Sequence, residues 1–133
     1  MLVDMPEPRR VTVVNDSPDF LELMADLLHD ANYPATLIDG DRDNATELIE
    51  ASQPQILIVD LRLGSQELRG MDILRWVRKH PELSEVPTVV CTADKWGVDQ
   101  VADELASLRN VTVLIKPFSV EELYRSLRDL ATA

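Results

Sequence analysis

Short apolar runs alternate along the chain with segments whose apolar residues recur every three or four positions. The runs are rich in valine and isoleucine and occupy residues 11–14, 35–38, 56–59, 86–91 and 111–115. Nearly continuous runs of this kind are typical of parallel strands covered on both faces. The segments that follow them have helical spacing and predict five amphipathic helices, with periodic apolar residues starting at Phe20, Ala45, Ile73, Val98 and Val120.

Helix start and stop signals agree with this division. Ser17 is placed to cap the first helix, with Pro18 at its first position. Asn44 and Ser119 each precede a glutamate by three residues, which is the spacing of a capping box. Prolines stand in the connections, at positions 34, 54, 81 and 87. The predicted order is βα repeated five times, which indicates an α/β fold with a doubly wound, five-stranded parallel sheet.

Length and composition predict one folded domain. The 133 residues suit a single domain that buries its own core. Residues 1–8 contain two prolines and two acids and are predicted to form a flexible tail, with the domain spanning residues 9–133. No run approaches the roughly 18 apolar residues of a membrane span, and the N-terminus has no signal-peptide core. We therefore expect a soluble, cytoplasmic domain, not bound to a membrane, with no output domain after it in this chain.

Charge and cysteine content narrow the function classes. The formal net charge is −11, from 24 acids and 13 bases. Such a surface repels the phosphate backbone of nucleic acids, so this domain is not expected to bind DNA or RNA. Cys91 is the one cysteine and closes an apolar run. It is predicted to be a small buried hydrophobe in a reducing compartment.

Polar residues end four of the five predicted strands. Asn15 and Asp16 end the first, Asp60 the third, Thr92 the fourth and Lys116 the fifth. Ligands bind at this carboxyl edge of open parallel sheets. Two converging carboxylates repel each other, and Mg²⁺ would relieve that repulsion. An ammonium and a hydroxyl beside a carboxylate are suited to stabilising a transferring phosphoryl group, with the carboxylate as nucleophile. No glycine-rich loop follows the first strand, so a nucleotide site is not supported.

Five segments carry a family resemblance: VVNDS, LIVDLRL, GMDIL, VVCTAD and LIKPFSVEEL. Together they resemble the receiver domain of bacterial two-component response regulators over about residues 9–130. The resemblance implies the flavodoxin-like receiver fold, with Asp60 as the acceptor of a phosphoryl group from a sensor histidine kinase or phosphotransferase. It also implies a Mg²⁺ ion held by Asp16, Asp60 and the backbone carbonyl of Arg62, whose side chain is expected to be solvated.

The same resemblance implies a phosphorylation-controlled switch and not an enzyme, with at most slow self-dephosphorylation. Thr92 would turn toward the phosphoryl oxygens, Lys116 would pair with them, and small Ala93 would keep the approach open. The peptide bond before Pro117 would be cis. Segments 95–108 and 111–130, the fourth helix with the fifth strand and helix, would form the face for a homodimer or a target protein.

Three departures from the family pattern stand out. Asn15 replaces one of the usual two acids, which should weaken metal binding, although its amide oxygen could still accept from a metal-bound water. Val113 stands where a switch aromatic is usual, which leaves the coupling to the threonine open. The loop after the third strand carries about two extra residues. Gln66, Glu67 or Arg69 could therefore reach the pocket.

Two rival functions remain open at this stage. Asn15 and Val113 also suit a module on the receiver fold that binds a protein partner without phosphorylation. A phosphatase of the haloacid dehalogenase type would likewise use a strand-end aspartate. It would usually carry a second acid two residues later, where Arg62 stands in this chain.

Overall fold

The computed structural model describes residues 9–63 and 69–132. These residues form a five-stranded parallel sheet in the order β2-β1-β3-β4-β5, with six helices. The strands are β1 (Val11–Asn15), β2 (Ala35–Asp39), β3 (Ile56–Val59), β4 (Thr88–Thr92) and β5 (Val111–Ile115). The helices are α1 (Pro18–Asp30), α2 (Ala45–Ser52), α3 (Arg69–Lys79), α4 (Lys95–Gln100), α5 (Ala102–Ser107) and α6 (Val120–Thr132). The predicted α/β architecture is confirmed, and the predicted tail lies outside the described residues.

The sheet is covered on both faces, which explains its continuous apolar runs. Successive strand residues point to opposite faces. Val14 and Val59 therefore join a buried cluster with α2, α3 and α5, while Val13 and Ile58 join a second cluster with α1 and α6. Cys91 is 1% exposed in the second cluster, and burial raises the pKa of its thiol to about 12. It is the small buried hydrophobe that the sequence predicted.

Strand β4 begins two residues later than the apolar run suggested. The run starts at Val86, whereas pairing with β3 starts at Thr88, opposite Leu57. Pro87 has no N–H to donate to a ladder, although its carbonyl accepts from the Leu57 N–H at 2.9 Å. Apolar character extends through this turn because Val86 is buried, so the pattern alone did not reveal the strand boundary.

Two of the three predicted helix caps form as expected. The hydroxyl of Ser17 accepts from the Phe20 N–H. Ser119 and Glu122 bond each other reciprocally, at 3.0 and 3.2 Å, as a capping box. The prediction for Asn44 was wrong, since it precedes α2 without a side-chain capping bond. Its ψ of 22° differs from the extended backbone that usually aims a capping side chain at the helix.

The single helix predicted after β4 is divided into α4 and α5. Val101 separates them with φ −111° and ψ 15°, outside the usual helical range. Arg75 of α3 holds α5 through two bonds of 2.7 Å to Glu104. The Arg75 guanidinium lowers the pKa of the Glu104 carboxyl. No helix within the two described ranges is long and apolar enough to span a membrane.

Candidate functional site

Asp60 is the centre of a group of polar side chains at the carboxyl edge of the sheet. Its Oδ2 accepts from the ammonium of Lys116 at 3.0 Å and from the amide of Asn15 at 3.2 Å. Its Oδ1 accepts from the backbone N–H of Arg62 at 3.1 Å. The Asp60 side chain is 12% exposed, so the carboxylate is shielded yet open to solvent on one side. The structure thus brings together the polar ends of β1, β3 and β5.

Lys116 is positioned by backbone and ring contacts. Its N–H donates to the carbonyl of Thr92 at 2.8 Å, and its peptide bond to Pro117 is cis. The ammonium lies 4.0 Å from the ring centroid of Phe20, which packs edge-on against Phe118. An ammonium over an aromatic face is attracted by the ring quadrupole. The backbone bond to Thr92 and the ring of Phe20 together position the ammonium beside Asp60.

Asn15 presents its amino group, not its oxygen, to Asp60. Its Oδ1 accepts from the Ser17 N–H at 2.8 Å. A backbone N–H bonds only to an acceptor, so this contact establishes the orientation of the amide. Asn15 is 1% exposed. The Ser17 N–H uses one of the two lone pairs of that oxygen, so its water-mediated contact with a metal stays a prediction.

Asp16 follows Asn15 at the end of β1 and is exposed. It lies at the same sheet edge as Asp60, because β1 and β3 are adjacent parallel strands. Within the described part of the chain, no group of three or more His, Cys, Asp or Glu residues could hold a metal ion. A metal here would therefore depend on fewer carboxylates than an all-protein cage provides.

A second polar group follows β4 at the same edge of the sheet, centred on Asp94. The hydroxyl of Thr92, which is 1% exposed, accepts from the Asp94 N–H at 3.2 Å. Asp94 Oδ1 caps α4 by accepting from the Gly97 N–H at 2.9 Å, and Oδ2 forms an ion pair with Arg62 Nε. The Gly97 N–H and the Arg62 guanidinium lower the pKa of the Asp94 carboxyl. The Arg62 side chain is solvent-exposed, as expected, and it also forms an ion pair that the sequence did not predict.

The remaining predicted positions lie around this centre. Ala93 is exposed beside Thr92. Val113 is half-buried in β5 and lines a surface cavity of about 280 Å³ with Val98 and Leu105. Arg69 donates to the backbone carbonyl of Arg42 at 2.7 Å, so this contact joins it to the loop after β2 and not to Asp60. The predictions for residues 66 and 67 fall outside the described residues.

Gly70 is a site-supporting residue that sequence reasoning missed. A Cβ there would lie 1.9 Å from the backbone carbonyl oxygen of Asp60. Its own N–H donates to the carbonyl of Leu61 at 2.9 Å. The first turn of α3 therefore packs directly on the backbone of Asp60. The glycine in GMDIL was the available signal, but spacing alone did not show what it contacts.

Comparison with known proteins gives consistent matches. A family model described as the response regulator receiver domain matches residues 11–128. Protein Rrf1 of Nitratidesulfovibrio vulgaris is 30% identical over 111 residues, covering 84% of this chain and 74% of the relative. The polar-differentiation response regulator DivK of Brucella anthropi is 26% identical over 122 residues, covering 92% and 95%. Several other curated relatives are longer, and the chain spans 28% to 48% of their length.

Solved structures share the fold. The receiver domain of sensor histidine kinase PA1611 from Pseudomonas aeruginosa PAO1 superposes with a TM-score of 0.79 at 24% identity. The match covers 95% of this chain and 99% of that one. That crystal structure has a magnesium ion coordinated in its active site cleft. At this level of identity, the comparison establishes the architecture.

Proposed function

The chain belongs to the response regulator receiver domain family, and from this we propose that it is a switch in which Asp60 accepts a phosphoryl group. Receiver domains are signalling modules of two-component systems. The observation that carries the proposal is the 3.0 Å contact between Lys116 Nζ and Asp60 Oδ2. It places a cation against a carboxylate whose hydrogen bonds join β1, β3 and β5.

The chemistry follows from the contacts of Asp60. An Asp60 oxygen attacks phosphorus, the oxygen–phosphorus bond forms, and the bond from phosphorus to the donor nitrogen breaks. The electron pair stays with the donor imidazole, which takes up a proton. Lys116 then faces negative charge on the phosphoryl oxygens, where a preorganised cation stabilises transfer. Thr92 ends β4, the strand next to β3, and would supply a hydroxyl after turning away from the Asp94 N–H.

Mg²⁺ fits this arrangement as a loosely held ion. Asp60 Oδ1 accepts one hydrogen bond in the described structure, from the Arg62 N–H, and a carboxylate oxygen has room for a further partner. Mg²⁺ typically takes one or two carboxylates and keeps several waters. Asp16, Asp60 and the carbonyl of Arg62 would hold it. The bound ion would neutralise charge on the phosphoryl group during transfer.

Asp60 phosphorylation is tested by intact-mass measurement. After incubation with Mg²⁺ and a small acyl phosphate, we expect the protein to gain the mass of one phosphoryl group. Asp60→Asn, which keeps the shape of the side chain, should show no gain. Asp26→Asn, at an exposed position of α1, should gain the mass as wild type does.

A chain that never gains this mass, even with its cognate kinase, would favour the rival function. That rival is an interaction module on the receiver fold that works without phosphorylation. Val113 is the observation that favours it, since it leaves a cavity of about 280 Å³ where no ring fills the space near β5. The same mass measurement therefore separates the two functions.

Asn15→Asp should tighten Mg²⁺ binding about tenfold, or roughly 1.4 kcal/mol. The change adds a negative charge beside the metal position and removes the amide donor that occupies Asp60 Oδ2 at 3.2 Å. Isothermal titration with MgCl₂ at constant ionic strength measures the effect. Asn15→Ala is the matched control, since it removes the donor without adding charge. Equal affinities of the two variants would contradict the predicted role of charge.

Two surfaces could receive protein partners. An apolar groove of about 280 Å³ lies beside Lys116, between α1 and the start of α6. Leu23 and Val120, 50% and 45% exposed, lie along it, and we assign it to the sensor histidine kinase or phosphotransferase that donates the phosphoryl group in the cytoplasm. The cavity at Val113 marks the face of α4, β5 and α6 for a second copy or a target protein. The net charge of −11 argues against nucleic acid at either surface.

A further inference from the structure

The ion pair between Arg62 and Asp94 joins the two loops that border the acceptor carboxylate. Arg62 lies two residues after Asp60, and Asp94 lies two residues after Thr92. The Arg62 side chain is 42% exposed and the Asp94 side chain 17%. The pair therefore lies toward solvent, at the open side of the site.

We propose that Arg62 is a second phosphoryl-binding cation of this site, which Asp94 holds before phosphorylation and which moves to the phosphoryl oxygens on Asp60 afterwards. The inference rests on the proposed function, because it requires Asp60 as the acceptor. It assigns a role to a side chain that the family resemblance had left to solvent.

Geometry places Arg62 within the acceptor's surroundings. Its backbone N–H lies 3.1 Å from Asp60 Oδ1, so its side chain starts next to the carboxylate that would accept the phosphoryl group. The exposed guanidinium can change partners without unpacking either apolar cluster. An arginine fork also matches phosphate oxygens with two parallel bonds.

Charge determines the direction of the exchange. Asp94 offers one negative charge, and the Gly97 N–H at 2.9 Å already shares it. A phosphoryl group carries close to two negative charges and three strong acceptor oxygens. Once phosphorylation has placed those oxygens beside Arg62, the guanidinium has a stronger partner than Asp94. The carboxylate of Asp94 keeps its cap on α4 after losing Arg62.

The exchange would also connect the acceptor to α4 in a chain that lacks the usual ring at Val113. The Asp94 N–H bonds the Thr92 hydroxyl at 3.2 Å, and the Asp94 carboxylate bonds both Arg62 and α4. A turn of Thr92 toward the phosphoryl group and a departure of Arg62 would release Asp94 from both sides. The start of α4 would then be held by the cap alone.

The test uses beryllofluoride with Mg²⁺, an unreactive analogue of the phosphoryl group, and fluorine NMR to measure occupancy. Arg62→Ala should bind the analogue about tenfold more weakly, the size of effect of one lost charge-assisted contact. Asp94→Asn should bind it roughly threefold more tightly, because asparagine still caps a helix while no longer holding the guanidinium. Arg62→Lys should restore part of the affinity.

The exchange predicts that Arg62→Ala and Asp94→Asn change the affinity for the analogue in opposite directions. Both substitutions break the same ion pair, so a purely structural pair would shift affinity in one direction for both. In the double variant, Arg62→Ala with Asp94→Asn, the gain in affinity that Asp94→Asn gives alone should disappear. Arg75→Ala, which removes an arginine–carboxylate pair between α3 and α5, should leave affinity unchanged.

The outcomes separate this inference from the proposed function. A wild-type protein that binds no beryllofluoride and gains no phosphoryl mass overturns the proposed function itself. If the wild type binds beryllofluoride and gains the phosphoryl mass, but Arg62→Ala binds beryllofluoride as tightly as Arg75→Ala does, the inference alone is overturned. The inference alone is also overturned if Arg62→Ala and Asp94→Asn shift the affinity for beryllofluoride in the same direction.

Discussion

Gly70→Ala is expected to lower the free energy of unfolding by about 3 kcal/mol, although alanine is the better helix former. A Cβ at this position would lie 1.9 Å from the carbonyl oxygen of Asp60 and 2.7 Å from the Cα of Leu61. Both are backbone atoms in the turn after β3, which cannot rotate aside as a side chain can. The usual gain of about 1 kcal/mol for alanine in a helix is too small to offset this overlap.

Urea unfolding measures the effect as a lower midpoint at an unchanged slope. Gly40→Ala is the matched control. A Cβ there would meet buried side-chain methyls, those of Leu63 at 2.8 and 3.0 Å and one of Val14 at 3.1 Å, and side chains adjust at lower cost than backbone atoms. We expect this control to lose less than half as much stability. A Gly70→Ala midpoint at or above that of wild type would contradict the close approach of α3 to the acceptor.

The same substitution should also disturb the site in the molecules that remain folded. The carbonyl of Asp60 must shift to admit the methyl group, and the acceptor carboxylate would move with its own backbone. Its contacts with Lys116 and Asn15, at 3.0 and 3.2 Å, depend on that position. Stability and phosphoryl acceptance should therefore fall together in this variant.

Lys116→Met is expected to slow phosphoryl acceptance by about a hundredfold. Lys116 Nζ lies 3.0 Å from Asp60 Oδ2 with 23% of its side chain exposed, so little solvent screens its charge. Methionine keeps much of the apolar stem that packs near Phe20 but has no positive charge to place against the phosphoryl oxygens. The fold should tolerate the change, because Asn15 still donates to Asp60.

The rate of mass gain at saturating acyl phosphate and Mg²⁺ is the measurement. Lys79→Met, at an exposed position at the end of α3, controls for the loss of one positive charge from the whole molecule. If both lysine variants accept the phosphoryl group at the same rate, Lys116 does not act in the transfer step.

Local pattern was sufficient to predict five strands and to place their polar ends at one edge of the sheet. Both faces of the sheet are covered, so buried strands such as β3 appear in the sequence as continuous apolar runs. Parallel strands end at one edge, so Asp60 and Lys116 lie at the same edge of the sheet, where their side chains meet at 3.0 Å. Ser119 and Glu122 form the predicted cap because the contact lies within one helical turn.

The orientation of polar groups was decided by tertiary structure. The Ser17 N–H donates to the Asn15 oxygen at 2.8 Å, and this bond decides that Asn15 turns its nitrogen toward Asp60. Arg62 and Asp94 lie 32 residues apart, and no periodicity indicates such a pair. Ion pairs depend on where two loops meet, and that is determined by strand order and loop paths together.

The sequence by itself determined the parallel α/β sheet, its two apolar faces and the residue types at its carboxyl edge. Those features depend on burial and on spacing within single elements, which a linear pattern records. Only the tertiary structure decided the break at Val101, the approach of Gly70 to Asp60 and the partner of Arg62. Each of these depends on atoms that packing brings together from separate elements, where a difference of an ångström decides between contact and overlap.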